Sequence, residues 1–358
     1  MEINQNKSLL FTKLAFEQAK INLGSTGTNP SVGCVVEKNG SVISSGFTSL
    51  NGRPHAEYNA LNKNLDFKKS NIFISLEPCS HYGKTSPCTN IIKKKGIRKV
   101  SFSIYDIDNR SKNLAKKILN KKKISVKSGF LNTYAKAFYK DYFLARKKFL
   151  PLIDAKIAVS KDYFTKNKKD KKITNKHSIK RVHLLRSKYN CILSTSKTIN
   201  DDNAKLDCRI DGITNKSPDI AILDRNFSLK KNRNLFKIKN RKIILFTSKS
   251  NKSKELIFKR KGVKVVKLNM KNINDYKKIF KLLNKFGYSR IFVESGLVFL
   301  NFLISNNFVN NLYVFKSNYR LGKFGSNNCS NKMIKNIKLK KKIKVNLFGN
   351  LLYEVNLK

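Results

Sequence analysis

The chain has 358 residues, 40% of them hydrophobic, and its 76 Lys and Arg against 22 Asp and Glu give a formal charge of +54. That length and apolar content suit two folded domains and exclude a chain disordered throughout. There is no apolar run of membrane length and no apolar signal-peptide core, and six cysteines are too sparse for a disulfide scaffold, so a reducing cytoplasm is the expected location.

Residues 8–23 carry apolar positions at helical spacing, with Gly24 as the stop. SVGCVVEKNGSVISSG then predicts two strands around a hairpin turn at Asn39-Gly40. HAEYNALNKN reads as a short helix, and NIFISL as a strand that delivers Glu77, Pro78 and Cys79 at its end. Ser86-Pro87-Cys88 predicts a helix start, with Ser as N-cap, Pro at the first helical position and Gly96 as the stop. A strand (KVSFSI) and a helix (SKNLAKKILN) follow, an alternation that indicates α/β layers. From about residue 149 a second series begins. PLIDAKIAVS, NCILS, DIAILD, KIILFT, VKVVKL and RIFVES are predicted strands, with SIKRVHLLRSKY, INDYKKIFKLLNKF and LVFLNFLISN as helices among them. The lysine-rich run at 166–174 reads as an exposed mobile loop. Lysine is spread over both halves in company with Asn, Ile and Phe, which is compositional bias rather than a patch. Neither a membrane nor a specific nucleic acid is therefore expected as partner.

Chemistry concentrates in RPHAEYNALN and LEPCSHYGKTSPC. His55, Cys79 and Cys88 offer one imidazole and two thiolates, a donor set suited to zinc that leaves a fourth tetrahedral position for water. Glu57, two residues after a ligand, is placed to shuttle protons of such a water. H-x-E with a later P-C and second Cys is the zinc deaminase signature. Eight residues separate the cysteines here, and His81 among them either contacts substrate or caps a turn. Cys34, Cys191, Cys208 and Cys329 read as inert packing.

HAE, EPCSHYGKTSPC and the NPSVGC run at 29–34 together resemble the bifunctional deaminase–reductases of riboflavin biosynthesis, the RibD family. The resemblance implies a cytidine-deaminase-like three-layer α/β/α domain at 1–148 and a dihydrofolate-reductase-like α/β domain at 149–358. The implied reactions are zinc-dependent deamination of 2,5-diamino-6-ribosylamino-4(3H)-pyrimidinone 5′-phosphate, then NADPH-dependent reduction of the ribosyl to a ribityl chain. Zinc falls to His55, Cys79 and Cys88, and catalysis to Glu57; Asn29 either touches substrate or is a turn residue before proline. In the second half, HLLRSKYNCILSTSKTINDDNAKLDCR and RIFVESG carry the likeness. Substrate contacts are implied for Arg186, Leu206, Arg209 and Glu294, the two arginines on the phosphate, and cofactor contacts for Ala158, Thr198, Asp202 and Gly296. The family also implies a homodimer.

The chain departs from the family pattern at Tyr163 (Gly in Ser-Leu-Asp-Gly), Lys172 (Trp), Ala204 (Pro) and Thr48 (His). Two rival readings are a nucleobase deaminase acting on RNA and a non-catalytic, zinc-stabilised nucleic-acid-binding protein. The first leaves the organised second half unexplained, and the second normally closes its metal site with a fourth ligand.

Overall fold

The computed structural model describes residues 5–169, 172–329, 337 and 339–358. The chain divides into two units, Met1–Leu150 and Pro151–Lys358.

In the first unit the elements run α1 (Gln5–Lys20), β1 (Gly33–Lys38), β2 (Ser41–Phe47), α2 (Ala56–Leu61), β3 (Asn71–Ile74), α3 (Cys88–Lys94), β4 (Lys99–Phe102), α4 (Leu114–Asn120), β5 (Ser125–Ser128), α5 (Asn132–Phe138) and α6 (Lys140–Lys147). Asn39 and Gly40 both take positive φ, 54° and 86°, as a two-residue hairpin turn of right-handed twist requires, and the β1–β2 hairpin forms where Asn-Gly predicts it. The sheet order is β2-β1-β3-β4-β5, with β1 antiparallel to both neighbours and β3 to β5 parallel. Alternation along β1 sends Val35 to Phe11, Ala15 and Phe73 on the α1 side. Cys34 and Val36 point the other way, into a core with Ala56, Ala60 and Leu61 of α2 and Ile92 of α3. Helices therefore cover both faces, making three layers, α/β/α.

Two glycines set how closely those layers approach. A Cβ at Gly33 would lie 1.9 Å from the Ala15 carbonyl oxygen, and one at Gly46 would lie 2.4 Å from the Ala56 carbonyl oxygen and 2.5 Å from the Ala60 nitrogen. The backbones of α1 and α2 thus rest directly on β1 and β2. The sequence placed the start of α3 one residue early: Pro87 keeps an extended ψ of 142° and is the N-cap, so Cys88 opens the helix.

The second unit contains β6 (Leu152–Val159), β7 (Phe164–Asn167), α7 (Lys176–Arg186), β8 (Cys191–Thr195), α8 (Ser196–Asp202), β9 (Asp219–Leu223), β10 (Ile243–Thr247), α9 (Lys252–Arg260), β11 (Val263–Lys267), α10 (Ile273–Lys285), β12 (Arg290–Val293), α11 (Leu297–Ser305), β13 (Asn311–Lys316), β14 (Gly325–Asn328), β15 (Lys341–Lys342) and β16 (Leu351–Asn356). Nine strands form one sheet in the order β11-β10-β9-β8-β12-β6-β13-β16-β15. The seven from β11 to β13 are parallel, and β16 and β15 close the edge antiparallel. Ile220 and Ile222 pack with Leu185 of α7 and Phe258 of α9. Ala221, Ile244 and Phe246 on the other face are buried too, so the sheet is covered on both sides. Both units are α/β, as the sequence predicts.

The lysine-rich run is not wholly a loop. Its first residues belong to β7, which pairs antiparallel with β14, while residues 170–171 lie outside the described residues. The apolar run NFLISNNFVNNLYVF is divided between the end of α11, a turn with Asn307 at φ 55°, and β13. Among the described residues, no helix is long and apolar enough to cross a membrane.

Candidate active sites

In the first unit the parallel strands β3 and β4 end at one edge of the sheet, and the site is built there. His55 is the N-cap residue of α2, Cys79 lies just beyond β3, and Cys88 is the first residue of α3. Their ligand atoms all lie within 4.8 Å of one another. The His55 Nδ1 is 3.5 Å from the Cys79 Sγ and 3.4 Å from the Cys88 Sγ, and the Cys88 backbone N–H donates to the Cys79 Sγ at 3.3 Å. Hydrogen bonds from Cys88 and His55 hold the Cys79 thiol far below its ordinary value, at about 4. Cys88, its hydrogen-bonded partner, keeps its proton longer; the pair shares one negative charge more readily than two. Glu57, 3% exposed in the first turn of α2, hydrogen-bonds Cys88. Burial, followed by the charge of Cys79, pushes its carboxyl up to about 7. A carboxyl in that range can both take and return a proton near neutral pH.

Residues around the ligands hold this frame. Glu77, buried two residues before Cys79, accepts from the backbone N–H of Asp106 at 3.0 Å, Asn113 at 3.1 Å and Ala115 at 3.2 Å. It therefore ties the cysteine loop to the segment after β4. Buried Ser111 accepts from the Ser80 backbone N–H at 3.3 Å and meets the His81 Nδ1 at 2.7 Å, which gives His81 a partner in the segment after β4. The Asn29 Nδ2 donates to the Gly52 carbonyl at 2.9 Å and so braces the turn that leads into His55. Thr48 is buried, its Oγ1 accepting from the Val32 N–H at 2.9 Å. A concavity of about 620 Å³ lies elsewhere in this unit: Lys93, Lys94, Lys122 and Lys123 line it near the C-terminal end of α3, the opposite end from Cys88.

In the second unit Ala158, Thr198, Glu294 and Gly296 lie at or just beyond the C-terminal ends of β6, β8 and β12, where parallel sheets take ligands. Ala158 and Lys156 of β6 line a cavity of about 130 Å³ with His183, Arg186, Arg209 and Phe315. The two arginines expected on a phosphate are placed differently. Arg186 is 9% exposed and its guanidinium grips Glu294, Nε to Oε1 at 2.5 Å and Nη2 to Oε2 at 3.0 Å, while Nη1 donates to the Asp207 carbonyl. The Arg209 side chain is 52% exposed, with Asp207 Oδ1 at 2.6 Å. Lys156 adds a third cationic contact, its Nζ 3.4 Å from Glu294 Oε2. Burial works to raise the Glu294 carboxyl, but Arg186 and Lys156 overcome it and hold the group down to about 2. Leu206 packs in the hydrophobic core with a left-handed φ of 53° rather than lining the cavity.

Thr198 and Gly296 meet: the Gly296 N–H donates to the Thr198 Oγ1 at 3.1 Å. Gly296 is the N-cap of α11, and Val298 in its first turn is 88% exposed, so backbone N–H groups face solvent beside a hydroxyl. Asp202 is exposed at the far end of α8. Tyr163 takes the left-handed conformation that glycine would supply (φ 66°), with its ring under the Lys316 ammonium at 4.3 Å and its hydroxyl 2.9 Å from that Nζ.

Comparison with known proteins accounts for both units. Residues 5–104 match the model for the cytidine and deoxycytidylate deaminase zinc-binding region, and residues 151–349 match the RibD C-terminal domain. A riboflavin biosynthesis protein RibD from Aquifex aeolicus is 31% identical over 317 residues, covering 88% of this chain and 86% of the relative. The chain belongs to the RibD family. A diaminohydroxyphosphoribosylamino-pyrimidine deaminase from Buchnera aphidicola subsp. Schizaphis graminum is 35% identical over 40% of this chain and 99% of its own. The Thermotoga maritima structure of a diaminohydroxyphosphoribosylaminopyrimidine deaminase / 5-amino-6-(5-phosphoribosylamino)uracil reductase superposes with a TM-score of 0.83 at 27% identity, covering 98% of this chain and 99% of that one.

RibD membership makes this chain a two-activity enzyme of riboflavin biosynthesis, a cytidine-deaminase-like unit followed by a dihydrofolate-reductase-like unit, with Zn2+ and NADPH as cofactors. The second half, which an RNA deaminase leaves unexplained, is the reductase. One imidazole and two thiolates in mutual reach are the donor chemistry zinc takes. The solvent-facing N–H groups of α11, with Thr198 beside them, suit an anionic cofactor phosphate.

Proposed function

We propose that the first unit hydrolytically deaminates 2,5-diamino-6-ribosylamino-4(3H)-pyrimidinone 5′-phosphate and that the second reduces the ribosyl of the product to a ribityl chain with NADPH. The observation that carries the reading is the convergence of His55, Cys79 and Cys88 with the buried Glu57 against them. We assign the deaminase domain to 1–148 and the reductase domain to 149–358.

His55, Cys79 and Cys88 hold the zinc. When bound, the metal lowers the pKa of a water toward neutrality. Glu57 takes the proton from the attacking water and delivers it to the departing amine nitrogen, a transfer its carboxyl can make in both directions. Asn29 braces the turn before His55, which supports its role as a turn residue of the deaminase site.

In the reductase, Arg209 is the exposed guanidinium that takes the substrate 5′-phosphate, with Arg186 behind it fixing Glu294. Glu294 bounds the substrate, with Leu206 in the core beneath rather than in contact with it, and Ala158, Thr198, Asp202 and Gly296 bound the nicotinamide cofactor. The enzyme works in the cytoplasm as a homodimer, without a membrane or a specific nucleic acid as partner.

The experiment is a mass assay of the diaminopyrimidine ribotide with purified protein, with and without NADPH, alongside Glu57→Gln. Deamination without NADPH, lowered by about 10³-fold in the variant, followed by reduction only with NADPH, is the expected result. An unchanged substrate mass with zinc-loaded wild-type protein would overturn it.

A further inference from the structure

The buried His183 is used by neither reaction as written, yet it sits at the joint of the reductase cavity. Its Nδ1 lies 2.8 Å from the Asp207 carbonyl oxygen, and its Nε2 lies 3.2 Å from the Arg209 Nη2. A carbonyl only accepts, so the shorter contact puts the proton on Nδ1. A guanidinium only donates, so Nε2 must be the lone-pair nitrogen. Two donors also approach Nδ1, the Arg209 backbone N–H at 3.2 Å and the Arg186 Nη1 at 3.4 Å. Both are longer than the 2.8 Å carbonyl contact, and Arg186 Nη1 already donates to that carbonyl at 2.9 Å, so the carbonyl and the Arg209 guanidinium select one neutral tautomer. The opposite tautomer would set two acceptors 2.8 Å apart at Nδ1 and two donors 3.2 Å apart at Nε2.

We propose that His183 is a positioning residue of the reductase: fixed as its Nδ1–H tautomer by the Asp207 carbonyl, it presents Nε2 to Arg209 and so aims that guanidinium into the cavity where the substrate phosphate is taken. This rests on the assignment of Arg209 to the phosphate. Arg209 has two side-chain holds, the Asp207 carboxylate on Nη1 and His183 on Nη2. With one side of its fork fixed by each, a half-exposed arginine loses the freedom it would otherwise give up on binding.

The surroundings keep the ring neutral. The charged groups facing it are Arg186 on its own helix, Asp207 and Arg209 from the segment after α8, and Lys156 across the cavity, with Glu294 beyond Arg186. Burial, and then the Arg186 charge, lower its pKa from the usual histidine value. Protonation would put a second N–H on Nε2, facing the guanidinium donor.

The test is steady-state NADPH oxidation with the deaminated ribotide in full-length His183→Phe, His183→Gln and Arg209→Gln. Loss of the acceptor in His183→Phe is expected to raise KM about tenfold with kcat within about twofold, the size of one hydrogen bond to a charged group. His183→Gln restores an acceptor that does not titrate. It is expected to recover most of that KM and to lose the part of the acid-side KM rise that belongs to His183, leaving only the substrate phosphate's own titration. The chain has only four histidines, so ¹⁵N labelling reads the tautomer directly, with an unprotonated-type Nε2 expected for His183. A protonated Nε2 overturns the proposal, as does a fall in kcat at unchanged KM in His183→Phe. If Arg209→Gln leaves KM unchanged, the phosphate assignment itself falls. If Arg209→Gln raises KM while His183→Phe does not, only the positioning role falls. An unchanged denaturant midpoint of the second unit in each variant reports an intact reductase fold.

Discussion

The deaminase unit gathers His55, Glu57, Cys79 and Cys88 from one short stretch of chain, on two helix starts and one strand end. The reductase unit gathers Lys156, His183, Arg209 and Glu294 from four separated segments and binds them through ion pairs and carbonyl contacts. The first site depends on a few rare donors whose removal ends the chemistry. The second depends on common charged residues whose removal first costs stability. Experiments that strip one site while watching the other test that division.

The largest expected effect is chelation of the metal, or Cys88→Ala, which should reduce deamination to background while NADPH-dependent reduction persists. Loss of both activities would mean that the units are not separable. Next is Glu294→Gln. It leaves the Arg186 guanidinium buried opposite a neutral group, and breaking a buried pair in this way costs about 3–5 kcal/mol. Denaturant unfolding followed by reductase loss should show that drop, with the deaminase unaffected. A change under about 1 kcal/mol would mean that the pair behaves as an exposed one.

The same carboxylate sets an acid limit. Glu294 is held at about 2 against an ordinary 4.5, so its folded pKa is depressed. Its stabilising contribution is fully present above about pH 4.5 and is lost as pH falls towards 2, on the order of 3 kcal/mol in all. Reductase stability measured across that window should decline in the wild type and stay flatter in Glu294→Gln. The smallest effect is expected for Gly46→Ala. A methyl group 2.4 Å from the Ala56 carbonyl must push α2 off β2, costing about 1–3 kcal/mol and shifting Glu57. Deaminase kcat should fall with reductase kcat unchanged, and equal loss in both would break the assignment of that packing to one unit.

How much of this was legible in the sequence follows the same division. Cysteine and histidine are rare in this chain and have few uses, so their spacing points to a metal before any fold is known. Asn39-Gly40 announces its hairpin because few dipeptides take two positive φ values. The Arg186–Glu294 pair could not be read, since it joins residues 108 apart in a chain crowded with cations. Nor could the commitment of Glu77 to three backbone N–H groups, which only the fold brings to it. Strand β16 lacks clear alternation, and α8 is a short polar helix that follows β8 without a break, its Thr195 cap being the last residue of that strand, so both escaped notice. Tyr163 looked like damage to a glycine turn, yet the left-handed backbone is kept, with the ring held beneath Lys316.

The strand order of the second sheet has a consequence for synthesis. β12 lies between β6 and β8, so neither of those strands has its neighbour on that side until Arg290–Val293 has been made. At about 5–20 residues per second, the roughly 95 residues between Thr195 and Arg290 leave two apolar strand edges open for about 5–20 s. Ribosome-bound chains stopped before residue 290 should be cleaved by protease within the second unit and protected in the first, and equal protection would show that β6 and β8 pair with something else in the interim. Through that interval Arg186 also lacks its carboxylate, so the late arrival of β12 and Glu294 closes the sheet and neutralises its interior in the same step.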